Sequence, residues 1–169
     1  MKNIDKYLSL LNDEVDGLLL TSPYSRYYGA EFEISEGVAV VSKKGCRYFT
    51  DSRYIESAEN GIKGFEVLDV AKGGGYVKCI NQCIEDFGIT AFGFEENYLT
   101  VSEYMLYEKN VNAKLVPFTK EINGFRGWVE EIGVRTTTMI SMDRIAHADH
   151  TDLPFFTAFR ALLLRALLF

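Results

Sequence analysis

The chain has 169 residues, of which 47% are hydrophobic, so it is long enough to bury one ordinary core. Its formal net charge of −6 argues against a nucleic-acid partner, because no cluster of basic residues is present to neutralise phosphates. The charged start lacks the apolar segment of a secretory signal, and no apolar run approaches the ~20 residues that cross a bilayer, so no membrane partner is expected.

The cysteine content favours a reducing compartment. Cys46, Cys79 and Cys83 are the three cysteines of the chain, too few and too odd in number for a disulfide framework. We therefore expect a cytoplasmic protein.

The first 50 residues predict one helix, one strand and a hairpin. Residues 2–13 have the apolar spacing of an amphipathic helix, and the apolar run 18–21 predicts a strand covered on both faces. Pro23 then suits the start of a short helical turn. Residues 37–41 and 46–50 flank a glycine-containing turn and predict a β-hairpin.

The following 75 residues predict alternating helices and strands. Asp51 is interpreted as the N-cap of a helix from Ser52 to about Asn60. Thr100 and Glu103 have the spacing of a capping box. Strands are predicted at 65–68, 91–94 and 113–117. Further helices are predicted at 76–87, where the glycines at 73–75 open the helix, and at 101–110. This alternation predicts an α/β domain over residues 1–125, with a mixed β-sheet flanked by helices on both faces.

Composition changes sharply at residue 126. All ten lysines lie at or before Lys120, whereas residues 126–169 hold five arginines, both histidines and no lysine. We treat these residues as an atypical tail. Residues 155–169 are apolar on almost every helical face, so we expect the full chain to self-associate and a chain cut after Gly124 to behave better. A clean monomer of the full chain in size-exclusion chromatography would contradict this.

A glycine run and a cysteine pair are two candidate sites. Residues 73–75 are three glycines before a helix and could cradle an anion, but they match no nucleotide-binding pattern and predict a plain loop. Cys79 and Cys83 share one helix face. Two thiols make a poor zinc site, which requires four ligands, so buried, inert thiols are favoured.

Other polar groups give weaker signals. His147, Asp149 and His150 are ligand types at close spacing, and a metal or catalytic role for them is the less favoured alternative because no clear element holds them. Three glutamates lie close together before the hairpin and are interpreted as a solvated loop: Glu31, Glu33 and Glu36.

Arg53 poses a specific question. As the second residue of the predicted helix it would lie where the helix dipole disfavours positive charge. We expect it to have a tertiary partner, and a structural role is favoured over ligand binding.

Three stretches carry a resemblance to a known family. They are LLTSPYSRYY at 19–28, FTDSRYIESA at 49–58 and GFEENYLT at 93–100. The first stretch is a strand followed by Ser-Pro and an aromatic-rich turn. The second contains a TD-x-RY segment. The third is a strand that ends in GFE before a helix beginning in Thr. Together they resemble the N-terminal domain of the creatinase/prolidase/aminopeptidase P family, over roughly residues 1–125.

The resemblance implies a non-catalytic domain. In the family this domain helps to form a homodimer and borders the active-site entrance. The chemistry lies in a following domain, where two divalent metals, Mn or Co, held by two Asp, one His and two Glu activate the water that cleaves an Xaa-Pro bond. Proline-containing peptides would thus bind only the parent enzyme. For Asp51, Arg53 and Tyr54 the resemblance implies a structural or entrance-lining role, with no catalytic or metal-binding residue on this chain.

The tail does not resemble the family, so we expect a truncated peptidase that is inactive alone. The loss of lysine favours a shifted reading frame near residues 126–128 over a genuine appendage. One alternative is a free-standing binding or dimerisation module with the same fold. A less favoured one is an enzyme that uses His147, Asp149 and His150.

Overall fold

The computed structural model describes residues 2–124 of the chain. The tail of residues 126–169 lies outside the described residues, and with it the apolar segment 155–169 and the cluster of His147, Asp149 and His150. Within residues 2–124, no helix is long and apolar enough to cross a bilayer.

Helices and strands alternate along the described chain. The helices are α1 (Asn3–Leu10), α2 (Pro23–Ala30), α3 (Ile55–Gly61), α4 (Tyr76–Phe87) and α5 (Val101–Asn110), and residues 119–124 are again helical. The strands are β1 (Gly17–Leu20), β2 (Val38–Ser42), β3 (Gly45–Thr50), β4 (Glu66–Asp69), β5 (Ala91–Phe94) and β6 (Lys114–Pro117).

The six strands form one mixed sheet in the order β4-β3-β2-β1-β5-β6. β2 is antiparallel to both of its neighbours, β1 and β3. The other pairs, β3–β4, β1–β5 and β5–β6, are parallel. The prediction of a mixed sheet and of the β2–β3 hairpin is confirmed.

Helices cover both faces of the sheet, as predicted. Successive strand residues point to opposite faces, so the apolar strands supply side chains to a core on each face. Leu18 and Leu20 belong to the first core, under α1, α2 and α3, whereas Leu19 belongs to the second core, under α4 and α5. The first core includes Tyr7, Tyr28, Tyr48, Ala58 and Ile122. The second core includes Val40, Ile80, Cys83, Phe92 and Tyr107.

Local signals fix several helix ends. Ser22 caps α2, whose first residue is Pro23, and the helix ends where Glu31 adopts a left-handed φ of 54°. The predicted capping box of Thr100 and Glu103 is present at the start of α5. α4 ends at Gly88, whose φ of 66° is the left-handed conformation that glycine adopts at low cost.

Candidate functional site

The three stretches singled out in the sequence lie on the same side of the sheet, where most of its strands end. Since β2 alone runs against the other strands, its amino end lies beside the carboxyl ends of the remaining five. Residues 21–28 follow β1, residues 51–54 follow β3 and residues 95–100 follow β5. In open α/β sheets, ligands bind outside the carboxyl ends of the strands. We call this side of the sheet the carboxyl edge, and it is the candidate site.

Asp51 organises a turn at this edge rather than the start of a helix. Its carboxylate Oδ1 accepts a hydrogen bond of 2.9 Å from the backbone N–H of Arg53, and the backbone N–H of Tyr54 donates to its carbonyl at 2.9 Å. α3 begins at Ile55, after Tyr54. The prediction that Asp51 caps a helix from Ser52 was therefore wrong, because the carboxylate closes a local turn that precedes the helix.

Arg53 has the tertiary partner that its charge required. Its Nε donates to Asp51 Oδ1 at 2.8 Å, its Nη2 lies 3.4 Å from Glu36 Oε2, and its guanidinium lies 5.4 Å from the centre of the Tyr54 ring. Because Arg53 precedes α3, it does not occupy the first helical turn. Its hydrogen bond to Asp51 raises the pKa of Arg53, and the bonds from its backbone and side chain lower the pKa of Asp51.

The Arg53 side chain is 67% exposed, so solvent screens these ion pairs and they add little to folding stability. Tyr54 is half-buried against the first core. The structure brings Asp51, Arg53 and Tyr54 together at the carboxyl edge, and their structural or entrance-lining role stays a prediction.

Glu36 reaches Arg53 because buried bonds fix the loop that carries it. The Glu36 carbonyl accepts from Thr50 Oγ1 at 3.0 Å. Arg26 is 5% exposed and donates to the carbonyls of Ile34 and Ser35, at 3.4 and 3.3 Å. Glu31, Glu33 and Glu36 are all exposed, in agreement with the solvated-loop prediction, and Glu36 in addition forms the ion pair with Arg53.

Arg26 also links α2 to the hairpin. Its Nη1 donates to the hydroxyl of Tyr48 on β3 at 2.9 Å. Burial raises the pKa of Tyr48, and the nearby guanidinium only partly opposes that rise. Tyr48 is therefore neutral at physiological pH and acts as the acceptor for Arg26.

A second buried bond joins the first and third stretches. The Ser25 hydroxyl donates to Glu95 Oε1 at 2.7 Å, and both residues are fully buried. Ser25 lies in the first turns of α2, and Glu95 directly follows β5. This bond fastens the beginning of α2 to the neighbouring strand end.

A shallow depression adjoins Arg53. Its volume is about 520 Å³, and it is bounded on one side by Phe32 from the loop after α2. Its other lining residues come from the turn and from α3: Arg53, Glu56, Ser57, Asn60 and Gly61. Arg53 therefore combines an exposed charge with a concave surface.

The glycine loop is occupied by its own hydrogen bonds. The N–H groups of Gly73, Gly74 and Gly75 donate to the carbonyls of Asp69, Ala71 and Val70 at 3.0–3.2 Å. These donors are not offered to an anion, which agrees with the plain-loop prediction.

The cysteines on α4 are buried, as expected. Burial raises the pKa of Cys79, and it raises that of Cys83 to about 11, so both are thiols at neutral pH. In the part of the chain that the structure describes, no group of three or more His, Cys, Asp or Glu residues is arranged to hold a metal ion.

Comparison with known proteins identifies the domain. Residues 4–127, well over half of the chain, match the creatinase/prolidase N-terminal domain. The chain belongs to this family. The "Uncharacterized peptidase YqhT" of Bacillus subtilis (strain 168), a relative of this creatinase/prolidase-type domain, is 35% identical over 113 residues, which are 66% of this chain and 31% of that protein.

Solved structures share the fold of the creatinase/prolidase-type domain. The Xaa-Pro dipeptidase from Bacillus anthracis superposes with a TM-score of 0.68 at 31% identity, over 75% of this chain and 35% of that one. The N-terminal domain of the cytoplasmic peptidase PepQ from Mycobacterium tuberculosis H37Rv gives 0.60 at 19% identity, over 73% of this chain and 95% of that one, a likeness of fold alone. The chain thus spans about a third of YqhT and of the Bacillus anthracis dipeptidase.

The sequence did not reveal the buried residues whose hydrogen bonds hold the loops of the carboxyl edge in place. Arg26, Ser25 and Glu95 lie inside the stretches that carried the resemblance, but none was singled out as a buried polar group. A charged residue directly after an apolar strand, as Glu95 is after AFGF, is the signal that could have drawn attention to it.

Proposed function

We propose that this chain is the non-catalytic N-terminal domain of an Xaa-Pro peptidase, and that it contributes to dimerisation and to the border of the active-site entrance in the parent enzyme. The supporting observation is the share of its relatives' length that this chain spans. Two relatives above 30% identity are a peptidase and an Xaa-Pro dipeptidase, and this chain corresponds to about a third of each. The remaining two thirds of the parent would hold the metal pair, Mn or Co, and the proline-containing peptide.

The charge around Arg53 favours a structural role at that entrance. Asp51 and Glu36 both contact the guanidinium, so the group of three carries a net charge of −1. Such a group attracts no anion over long range. Arg53 is therefore proposed to line the depression beside α3, with its guanidinium packed over the Tyr54 ring.

A domain exchange tests the proposal. Residues 4–127 replace the matching region of the Bacillus anthracis Xaa-Pro dipeptidase, and hydrolysis of an Xaa-Pro dipeptide is measured with Mn²⁺. We expect the exchange protein to hydrolyse the peptide and the present chain alone to be inactive. A folded exchange protein without activity would contradict the proposal. Activity of the present chain that His150→Ala abolishes would instead establish the tail as a catalytic element.

Sequencing of the source DNA gives an independent test. We expect one of the three reading frames after codon 124 to encode a domain with two Asp, one His and two Glu ligands. A DNA sequence that encodes no such domain in any frame would favour a free-standing binding or dimerisation module.

A further inference from the structure

Residues 119–124 form a short helix after β6, which we call the exit helix. Burial holds it along one side. Phe118, directly before it, is 9% exposed, and Ile122 is fully buried in the first core. The backbone N–H of Phe118 donates to the carbonyl of Phe94 on β5 at 2.9 Å, and that of Ile122 donates to the carbonyl of Phe118 at 3.1 Å. These contacts attach the exit helix to the sheet.

A carboxylate from another loop holds the start of the exit helix. Glu96 Oε2 accepts hydrogen bonds from the backbone N–H of Thr119 at 3.2 Å and from the Thr119 hydroxyl at 2.5 Å. Phe118 occupies the cap position but has no side-chain acceptor, so Glu96 supplies the missing cap. Burial raises the pKa of Glu96, but the bonds from Thr119 outweigh it and leave the pKa below its ordinary value. Glu96 is therefore charged at neutral pH, which suits the positive end of a helix dipole.

Two neighbouring glutamates after β5 thus hold two different segments. Glu95 is buried and accepts from Ser25 of α2, whereas Glu96 is exposed and accepts from Thr119. Water can replace a lost partner at an exposed bond, so the bond of Glu96 contributes less to folding than that of Glu95. What the bond to Thr119 determines is the direction in which the exit helix starts.

We infer that Glu96 is a positioning residue, which acts through Thr119 to set the direction of the exit helix and thereby the placement of this domain beside the catalytic domain of the parent enzyme. The family match extends past the exit helix to residue 127, so the connection to the rest of the parent passes through this helix. The inference rests on the proposed function and deepens it by naming the side chain that controls the placement.

A small shift at the start of the exit helix becomes larger farther along the chain. Six residues of helix are about 9 Å long, so a shift of ~1 Å at Thr119 tilts the axis by about 6°. Across a domain of ~30 Å the same tilt moves the far side by about 3 Å. A misplacement of ~1 Å caused by a distant mutation can already lower a rate by about 100-fold. The tilt is therefore large enough to disturb peptide binding at the entrance.

Hydrogen exchange in the full chain tests whether Glu96 holds the helix. Glu96→Ala should make the amides of residues 119–124 exchange about fivefold faster, the effect of losing a typical helix cap. Asp16→Ala is the matched control, because Asp16 also accepts from the backbone N–H and the hydroxyl of a threonine, Thr90, at the opposite end of β5. The control should leave exchange of the exit helix unchanged. Unchanged exchange in Glu96→Ala would overturn the inference.

Kinetics of the domain-exchange protein test the consequence for the enzyme. Glu96→Ala should raise KM for the Xaa-Pro dipeptide several-fold and change kcat by less than about twofold. The reason is that the substitution shifts the entrance and leaves the catalytic domain itself unaltered. Asp16→Ala should change neither constant.

Variants of Thr119 test whether Glu96 acts through this residue. Thr119→Val lacks the hydroxyl and should raise KM in the same direction as Glu96→Ala. Thr119→Ser keeps the hydroxyl and should behave like the unmodified exchange protein. In the Thr119→Val background, Glu96→Ala should raise KM by a smaller factor than it does alone, because the two side chains share one bond. Independent, multiplying effects would argue against action through Thr119.

Two kinetic results would also overturn the inference. One is a KM of Glu96→Ala equal to that of the unmodified exchange protein. The other is an equal rise of KM in Asp16→Ala, which would attribute the change to a general loss of stability. An unmodified exchange protein without activity would instead contradict the proposed function, and hydrogen exchange in the full chain would then decide whether Glu96 holds the exit helix.

Discussion

Replacing Ser25 by alanine should destabilise the domain, because it removes a buried hydrogen bond between α2 and the end of β5. The Ser25 hydroxyl lies 2.7 Å from Glu95 Oε1, and both residues have no exposed surface. Water therefore has no access to replace the lost donor. Removing one partner of a buried hydrogen bond costs about 1–3 kcal/mol. We expect a value in the upper half of that range, since the acceptor is a carboxyl group.

Urea unfolding at neutral pH measures this cost, with the midpoint falling and the slope unchanged. The matched control is Ser9→Ala, because Ser9 is also a helical serine whose hydroxyl donates a hydrogen bond, to the carbonyl of Lys6, but it is exposed. Both variants replace a helical serine by alanine, so helix propensity changes in the same direction in each and their difference mainly reports the buried bond. The control should change stability by less than about 0.5 kcal/mol. Equal midpoints for the two variants would refute the reasoning.

Three further changes act at other points of the fold. Burial raises the pKa of Asp16, but hydrogen bonds from Ala91 and Thr90 more than offset it, so the pKa lies below its ordinary 3.8. The stabilisation that Asp16 gives the folded state is fully present above pH 3.8 and is lost as the pH falls through the lower pKa of the folded state. Asp16→Asn should therefore make the melting temperature fall less steeply at acid pH. An unchanged fall would contradict this. Thr100→Ala should cost about 1 kcal/mol of unfolding free energy through the lost cap, whereas Thr100→Ser should cost little. Gly88→Ala should cost about 1–2 kcal/mol because φ is 66° there. Gly88→Asn should cost less, and equal losses would argue against backbone strain.

Helix ends that depend on residues close together in the sequence were predictable from it. The capping box of Thr100 and Glu103 and the glycine end of α4 depend on residues three or four positions apart, and the structure has both. The start of α3 was not predictable in the same way. The carboxylate of Asp51 can bond the N–H two residues later in a turn or in a helix cap, so the local sequence fits both.

Contacts between distant segments could not be read from local patterns. Ser25 and Glu95 are 70 positions apart, and Arg26 and Tyr48 are 22 apart. Each residue alone fits an exposed position, and only the sheet order brings the partners together. The family resemblance located the right stretches, but it did not indicate which of their polar side chains would be buried.

The carboxyl edge therefore divides its polar residues between two tasks. Ser25, Glu95 and Arg26 are buried and hold the loops through bonds that water cannot replace. Arg53 is largely exposed, and its ion pairs to Asp51 and Glu36 are screened by solvent. Loss of a buried bond should therefore appear in the stability of this domain. Loss of Arg53 should instead affect the binding of a molecule or domain at the depression beside α3. The buried bonds determine the position that Arg53 takes at that depression.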